Sequence, residues 1–219
     1  MAQYEFNASS YGRCTMICDA SFCPDTGAAG FAGWINGTGG GGAVDGGVRE
    51  KVRSSNDAEF IAVINCLHMG LQRGLIRENF SVLIQCDNEN VVNALTGKKN
   101  ATSQVGIKTV TLLNEYKKRF SLSVSIRWMK GHAQNTCSKN VAHNKCDETA
   151  KRHMKRRRSE IRANDCRNLH GIGRDKAPEK VDSSFKKRTY ERMEIDQLDI
   201  DTRNSRIRTM LKTASRLWG

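Results

Sequence analysis

The chain has 219 residues, of which 38% are hydrophobic and 27% charged, a balance typical of a folded protein with a polar appendage. No segment contains the roughly 20 consecutive apolar residues that a membrane-spanning helix needs, so we expect no membrane partner. The net charge is +13, and it is unevenly placed, since residues 1–150 carry +3 and residues 151–219 carry +10. A basic segment of this kind is typical of contact with a polyanion such as nucleic acid.

The cysteines and the N-terminal residues bear on the compartment. Several of the eight cysteines, such as Cys18, Cys66 and Cys86, lie inside apolar runs, as reduced core thiols commonly do. The first residues lack the charged-then-apolar order of a secretory signal. We therefore expect a reducing intracellular compartment, the cytoplasm or the nucleus. The run KRRR at 155–158 is open to two interpretations, a nuclear localisation signal and a solvated basic helix face.

Three antiparallel strands are predicted first. Residues 14–22 (CTMICDASF) alternate weakly, residues 31–35 (FAGWI) follow a turn, and residues 47–52 (GVREKV) are the third candidate. The glycine-rich segment 36–47 (NGTGGGGAVDGG) indicates a flexible hairpin connection, and it lacks the pattern of a phosphate-binding loop. The connections are too short for helical crossovers, so neighbouring strands should run antiparallel.

Helices alternate with strands in the following hundred residues. Ser55, Asn56 and Asp57 predict the cap of a first helix, whose apolar residues from Phe60 to Leu71 recur at helical spacing. The later predicted segments are strands at 80–86 and 122–128 and helices at 89–95, 105–120 and 141–161. The order β-β-β-α-β-α-α-β-α predicts an α/β fold with a mixed five-stranded sheet flanked by helices.

The composition divides the chain into three parts. We expect a lead-in at 1–13, a folded domain at 14–160 and a basic, partly flexible extension at 161–219. Near the end of the extension, residues 205–217 predict an amphipathic helix with basic residues opposite its apolar face. This helix has two interpretations, contact with a protein partner and docking back on the folded domain.

Four carboxylates occupy positions where a charge is costly to bury or could contribute to a binding site. They are Asp19 and Asp87 at predicted strand ends, Glu59 in the first turn of a helix, and Asp147 in the last helix. Any one of them alone is better explained as part of a solvated turn or a helix cap. If the strands of Asp19 and Asp87 are neighbours, both side chains emerge where α/β folds gather their ligand sites. Carboxylates held this close repel one another unless divalent cations neutralise them, and all-oxygen sites suit Mg²⁺ or Mn²⁺.

The sequence around these acids is more specific than the acids themselves. The four blocks are CTMICDASF with Asp19, SSNDAEFIAVINCL with Glu59, VLIQCDNENVVNAL with Asp87, and WMKGHAQNTCSKNVAHNKCDETAKR with Asp147. In this order, over residues 14 to about 155, they resemble type 1 ribonuclease H, above all in W-x-K-G-H followed by a loop and N-x-C-D-E-x-A. The resemblance implies the ribonuclease H-like fold and a metal-dependent endonuclease. This enzyme would hydrolyse the RNA strand of RNA–DNA hybrids, leaving 5′-phosphate and 3′-hydroxyl ends.

The resemblance also implies a role for each matching residue. Asp19 would bridge two Mg²⁺ ions, or two Mn²⁺ ions, and Glu59 and Asp87 would complete the metal site on the leaving-group side. Asp147 would hold the metal on the side of the attacking water. His132, in the loop after the last strand, would assist proton transfer or product release. The implied substrate contacts are Ser21, Asn56, Asn88 and Lys130, with Asn56 facing the minor groove.

Some positions depart from the family pattern. Ala20 stands where the family has the glycine of Asp-Gly-Ser, Ser55 where it tends to have an asparagine, and Glu89 where a neutral amide often contacts the hybrid. Only about ten residues, 97–106, separate the second and third helices, which leaves no room for the basic protrusion that some members use to hold the hybrid. We expect the basic extension to contact the hybrid, or other nucleic acids, in its place.

Two other functions stay open. One is a nuclease of the same fold that acts on branched DNA or double-stranded RNA, and the other is a non-catalytic nucleic-acid-binding or assembly subunit. The four acids together with His132 argue against the second, because a scaffold does not need mutually repelling carboxylates. A zinc site of Cys137, His143 and Cys146, with His170, is a further alternative, although its spacing matches no standard zinc knuckle.

Overall fold

The structure is a computed structural model that describes residues 12–131 and 137–169, the last three without their side chains. The elements are β1 Arg13–Cys23, β2 Ala28–Gly37, β3 Gly40–Gly47, α1 Ser55–Gln72, β4 Ser81–Cys86, α2 Glu89–Leu95, α3 Gln104–Arg119, β5 Ser123–Trp128 and α4 Ser138–Leu169. This order confirms the predicted α/β fold. None of these helices is long and apolar enough to cross a membrane. Nearly all of the lead-in, most of the extension and the helix predicted near 205–217 lie outside the described residues.

The five strands form one mixed sheet in the order β3-β2-β1-β4-β5. Strand β2 pairs antiparallel with both β1 and β3, whereas β4 pairs parallel with both β1 and β5. In the parallel pair at the centre, Ile17 lies opposite Gln85. Asp19 and Asp87, each two residues further along, therefore come to the same level at one end of the sheet.

The prediction for the third strand was wrong. Strand β3 is the glycine-rich segment itself, which pairs with β2 from Gly37 opposite Gly40 to Gly30 opposite Gly47. A two-residue turn at 38–39 joins the strands, and Gly40 has φ +105, a conformation open to glycine. Backbone hydrogen bonds to β2 hold this strand, because Val44 is its one buried apolar side chain. The predicted segment 47–52 instead connects the sheet to α1.

Helices cover both faces of the sheet. Alternate residues of a strand point to opposite faces, and in β2 Phe31 and Ile35 join the main core with α1, α2 and α3. Ala32, on the other face, packs against Cys146 and Ala150 of α4. These small side chains let α4 lie close to the strand, and the site described below is built between α1 and α4.

Side-chain caps set where the helices begin. Ser54 accepts a hydrogen bond from the Asp57 backbone nitrogen at 3.1 Å, so α1 begins at Ser55, inside the predicted cap. Helix α4 extends well beyond the predicted 141–161, and the domain boundary predicted at residue 160 falls inside it. Ile161, next to the predicted boundary, is 4% exposed and packs with Cys23 and Ala28 of the sheet, which ties this part of α4 to the folded domain.

Gly30 of β2 is a position where the packing of α4 leaves no room for a side chain. A Cβ atom at this position would overlap the Ala150 carbonyl oxygen and the Met154 nitrogen of α4. We expect Gly30→Ala to lower the free energy of unfolding by about 2–3 kcal/mol, because α4 must move away from β2. Urea unfolding measures this change. Gly47→Ala is the matched control, since Gly47 pairs with Gly30 but its Cβ would meet no atom closer than 4.0 Å. Equal losses in both variants would contradict the packing argument.

Candidate active site

Asp19 lies inside β1, which spans Arg13–Cys23 in agreement with the predicted strand 14–22, so only the placement of this acid at the end of the strand was wrong. The pairing with β4 stops at Ile17, whereas the pairing with β2 continues to Cys23. Asp19 is 5% exposed and is paired on one side only, opposite Ala32. It therefore projects from a rigid strand at the point where a gap opens towards the end of β4.

Asp87 is the first residue after β4, and the chain that follows β5 packs against it. The Trp128 indole nitrogen donates a hydrogen bond to the Asp87 carbonyl oxygen at 2.9 Å. The Met129 nitrogen donates to Cys86 at 3.0 Å. A Cβ atom at Gly131 would overlap the Asp87 carboxylate, so a larger residue at this position would displace that carboxylate. Trp128 therefore positions the Asp87 backbone, a role that the sequence did not indicate.

The other two acids approach from the helices on opposite faces. Glu59 lies in the second turn of α1, not in the first as predicted, because the helix begins at Ser55, and it is 8% exposed. Among the residues described, its Oε2 atom is buried and has no hydrogen-bond partner. Asp147 lies on α4, and the Lys151 ammonium donates to its Oδ2 at 2.6 Å from one turn further along the helix. Both groups interact electrostatically with Asp19.

The pKa values of Asp19 and Glu59 reflect the repulsion among the negative charges of the cluster. Burial, and then the negative charges of Asp87 and Asp147, raise the pKa of Asp19 to about 8. Burial and the charges of Asp19 and Asp87 also raise the pKa of Glu59 well above its ordinary value. The Ala20 backbone N–H acts in the opposite direction on both groups by hydrogen bonding.

This arrangement fits a divalent cation. Buried carboxylates that repel one another are stabilised by positive charge between them, and carboxylate oxygens are the ligands that Mg²⁺ and Mn²⁺ prefer. The Glu59 oxygen without a partner is what such an ion would satisfy, because a buried acceptor left unpaired is costly. The sequence-based expectation of a metal site at this end of the sheet is therefore consistent with the chemistry of the residues present.

His143 is the member of the site that sequence reasoning placed elsewhere. It is 1% exposed, and its Nε2 atom lies 3.6 Å from the Asp87 Oδ2 atom. Asp19, Asp87 and His143 offer ligand atoms that all lie within 4.8 Å of one another. The available signal was the helical spacing, since residues four apart share one face of a helix and His143, Asp147 and Lys151 follow that interval.

The zinc alternative gains no support within the described part of the chain. Cys137 is exposed, while Cys146 is buried and its thiol donates to the Ile17 carbonyl oxygen at 3.8 Å. Desolvation raises the pKa of the Cys146 thiol to about 12, which is typical of an inert core cysteine. His143 groups with carboxylates and not with these thiols. His170 lies outside the described residues.

The residues expected to contact substrate surround this cluster. Asn88 caps α2 by accepting from the Val91 nitrogen at 3.2 Å, and its amide nitrogen donates to the Asn56 side-chain oxygen at 2.8 Å. Ser21 is half-buried on β1, two residues from Asp19, and Lys130 is exposed beside Gly131. His132 lies outside the described residues.

The departures from the family pattern lie next to the site. Ala20 is half-buried and packs its methyl group against the core. Glu89 is exposed in the first turn of α2, directly after Asn88. An acid at a helix N-terminus is favourable for the helix, but it repels a phosphate at the same place.

The chain was compared with known proteins. The family model for RNase H matches residues 12–155. The fold is similar to RNase H1 from the halophilic archaeon Halobacterium salinarum NRC-1, with 19% identity and a TM-score of 0.51 over 65% of this chain and 98% of that one. No curated protein matches the chain.

Two further solved structures are similar in fold. One is the N-terminal RNase H domain of rv2228c from Mycobacterium tuberculosis, with 13% identity and a TM-score of 0.53 over 68% of this chain and 97% of that one. The other is LC11-RNase H1 in complex with an RNA/DNA hybrid, with 14% identity and a TM-score of 0.54 over 65% and 97%. LC11-RNase H1 was isolated from compost by a metagenomic approach. At these identities the likeness concerns the fold.

Proposed function

The chain belongs to the RNase H family, and we propose that it is a divalent-metal-dependent endonuclease that hydrolyses the RNA strand of RNA–DNA hybrids, leaving 5′-phosphate and 3′-hydroxyl ends. The observation that carries this proposal is the electrostatic coupling of four carboxylates, in which the charges of Asp87 and Asp147 help to raise the pKa values of the buried Asp19 and Glu59. A scaffold protein gains nothing from such a cluster. The hybrid bound by the similar LC11-RNase H1 supports the choice of substrate.

The four carboxylates would hold two Mg²⁺ ions, with Mn²⁺ as the alternative. When bound, the ions would supply charge neutralisation and Lewis-acid chemistry at the scissile phosphate. The chain's own contribution is placement: Asp19 is fixed by β1, Asp87 by the Trp128 hydrogen bond, and Glu59 by its burial in α1. His132 would assist proton transfer or product release.

Recognition of the hybrid would begin at the paired amides. Because Asn88 uses its side chain to cap α2 and to hold Asn56, we assign the direct minor-groove contact to Asn56, which is exposed. Asn88 then acts as a positioning residue. Ser21 and Lys130 would contact the backbone of the bound strands. A 2′-hydroxyl in the groove is the feature that distinguishes RNA from DNA there.

Cleavage of three matched substrates tests the proposal. Purified protein with Mg²⁺ or Mn²⁺ is offered a hybrid, an RNA duplex and a branched DNA of the same sequence. We expect cleavage of the RNA strand in the hybrid and at least tenfold slower cleavage of the other two. Faster cleavage of the RNA duplex or of the branched DNA would show that the same site acts on that substrate instead of the hybrid. Absence of cleavage in all three would favour the non-catalytic subunit.

The basic charge of the C-terminal third is shared between two regions. Residues 151–169, which belong to α4, carry eight basic and two acidic side chains, and residues 170–219 carry twelve and eight. Deletion of residues 170–219 therefore removes a net +4 and leaves Ile161 in place. We expect this deletion to raise KM for the hybrid severalfold and to flatten its salt dependence, because fewer phosphates are neutralised.

The matched control for this deletion is a full-length chain in which the exposed Arg152 and Lys155 of α4 are replaced by glutamine. The KM for the hybrid and its salt dependence are measured for the deletion variant and for this control by steady-state cleavage between 50 and 200 mM salt, roughly the range over which phosphate contacts weaken. A KM and a salt slope that are unchanged by the deletion would show that the extension does not hold the hybrid.

A further inference from the structure

His143 places a nitrogen ligand beside carboxylates that would otherwise form an all-oxygen metal site. It is carried by α4 four residues before Asp147, so the helix presents both side chains on one face. Its 1% exposure places the imidazole wholly inside the protein. The residues gathered around it are Asp19 and Asp87, which belong to the proposed catalytic cluster.

The spacing of these three residues is that of ligands around one ion. The distance of 3.6 Å between Nε2 of His143 and Oδ2 of Asp87 is longer than a hydrogen bond. Ligands of a divalent ion at roughly 2.1 Å lie roughly 3 Å apart when adjacent and roughly 4 Å apart when opposite. The ligand atoms of Asp19, Asp87 and His143 all lie within 4.8 Å of one another, so binding one ion would require the most distant of them to move closer by roughly half an ångström.

A second observation points to a ligand at the same place. The Oε2 atom of Glu59, which is more than nine-tenths buried, has no hydrogen-bond partner in the described part of the protein. Glu59 interacts electrostatically with both Asp19 and Asp87, so it belongs to the same cluster. A buried acceptor of this kind is satisfied by a bound cation.

The other two histidines of the described ranges differ from His143 in their partners. His68 shares a hydrogen bond of 2.8 Å with the Tyr116 hydroxyl, and His153 shares one of 2.6 Å with Asp45. Both pairs lie away from the four carboxylates, on α1 and on the later turns of α4. Of the three described histidines, His143 is the one whose ring nitrogen groups with candidate metal ligands.

We infer that His143 contributes a nitrogen ligand to the carboxylate site and shifts its preference from Mg²⁺ towards Mn²⁺ and other divalent transition-metal ions. Mg²⁺ takes oxygen ligands, whereas imidazole suits the transition metals, and the affinity of a mixed site rises from Mn²⁺ along that series. The inference rests on the proposed function only in that the same carboxylates hold the ion.

Pulsed electron paramagnetic resonance of bound Mn²⁺ tests the inference without nucleic acid. The signal of an imidazole nitrogen coordinated to Mn²⁺ is expected in the full-length chain and should be lost in His143→Gln and His143→Asn. It should persist in His153→Asn and His132→Gln, which separate His143 from the other histidines. Calorimetric titration should show Mn²⁺ affinity falling on the order of tenfold in His143→Gln, with a smaller change for Mg²⁺.

Three outcomes would overturn the inference. They are bound Mn²⁺ with no nitrogen coupling, coupling that survives in both His143 variants, and no binding of Mn²⁺ by a folded chain. Thermal unfolding of each variant establishes that it is folded. Glutamine and asparagine differ in length, so a replacement that packs poorly at position 143 can be recognised by comparison with the other. Hybrid cleavage without nitrogen coupling would reject this inference alone, whereas coupling without cleavage would support it and reject the proposed function.

Discussion

Replacing Asp87 by asparagine is expected to lower hybrid cleavage by on the order of a thousandfold while the chain stays folded. Asp87 is the acid that the surrounding structure holds most directly, through the Trp128 hydrogen bond to its backbone and the close approach of Gly131 to its carboxylate. Asparagine has nearly the same shape, so these contacts persist, but the charge needed to bind a divalent ion is lost. Single-turnover cleavage of a matched hybrid, measured alongside thermal unfolding, separates lost chemistry from lost structure.

Asp45→Asn is the matched control for Asp87→Asn. Asp45 is a carboxylate on the same sheet that is paired with His153 at 2.6 Å and lies outside the cluster. Its replacement should leave the cleavage rate within about twofold of the wild type. Cleavage that survives Asp87→Asn, or that falls equally in the two variants, would reject the site.

The second large effect is expected in the stability of the metal-free protein. In the unfolded chain Asp19 ionises near its ordinary pKa of 3.8, whereas in the fold burial and the charges of Asp87 and Asp147 raise its pKa to about 8. Between these values the folded state holds more protons than the unfolded state, so the free energy of unfolding falls as pH rises. The slope for this one group is at most roughly 1.4 kcal/mol per pH unit, and Glu59 acts in the same direction.

Asp19→Asn removes the Asp19 part of this pH dependence. In the presence of a chelator at pH 8, we expect the variant to be more stable than the wild type by on the order of a few kcal/mol, and the two should converge near pH 4. Adding Mn²⁺ at pH 8 should stabilise the wild type more than the variant. Urea unfolding across this pH range makes the measurement, with Asp45→Asn as the control. A metal-free wild type that is equally stable at pH 5 and pH 8 would contradict the described cluster.

Strand β3 was missed because local sequence patterns do not include the hydrogen bonds that a neighbouring strand provides. Segment 40–47 has five glycines and one buried valine, so neither alternation nor strand propensity marks it. Its strand exists because β2 supplies a complete row of hydrogen-bonding partners, which is a tertiary contribution. Segment 47–52 has the valines that strands favour, and Val48 and Val52 are indeed buried, but outside the sheet.

The part of the candidate site that was predictable from the sequence is the part that depends on the order of the strands. Asp19 and Asp87 meet because β1 and β4 are parallel neighbours, which the order of elements already implied. That β1 pairs with β2 alone beyond Ile17 was not predictable, because it depends on β2 being longer than β4. The place of His143 depends on how α4 packs against the sheet, which is a tertiary contact made by small residues such as Ala32 and Ala150.

The most direct test of the central claim is one cleavage reaction on a DNA duplex in which a single strand carries a short block of ribonucleotides. The purified chain with Mg²⁺ or Mn²⁺ should cut within the ribonucleotide block and nowhere else, and the products should carry 3′-hydroxyl and 5′-phosphate ends. Cuts in the all-DNA regions, ends of the opposite kind, or an intact block after long incubation of folded protein would contradict the account.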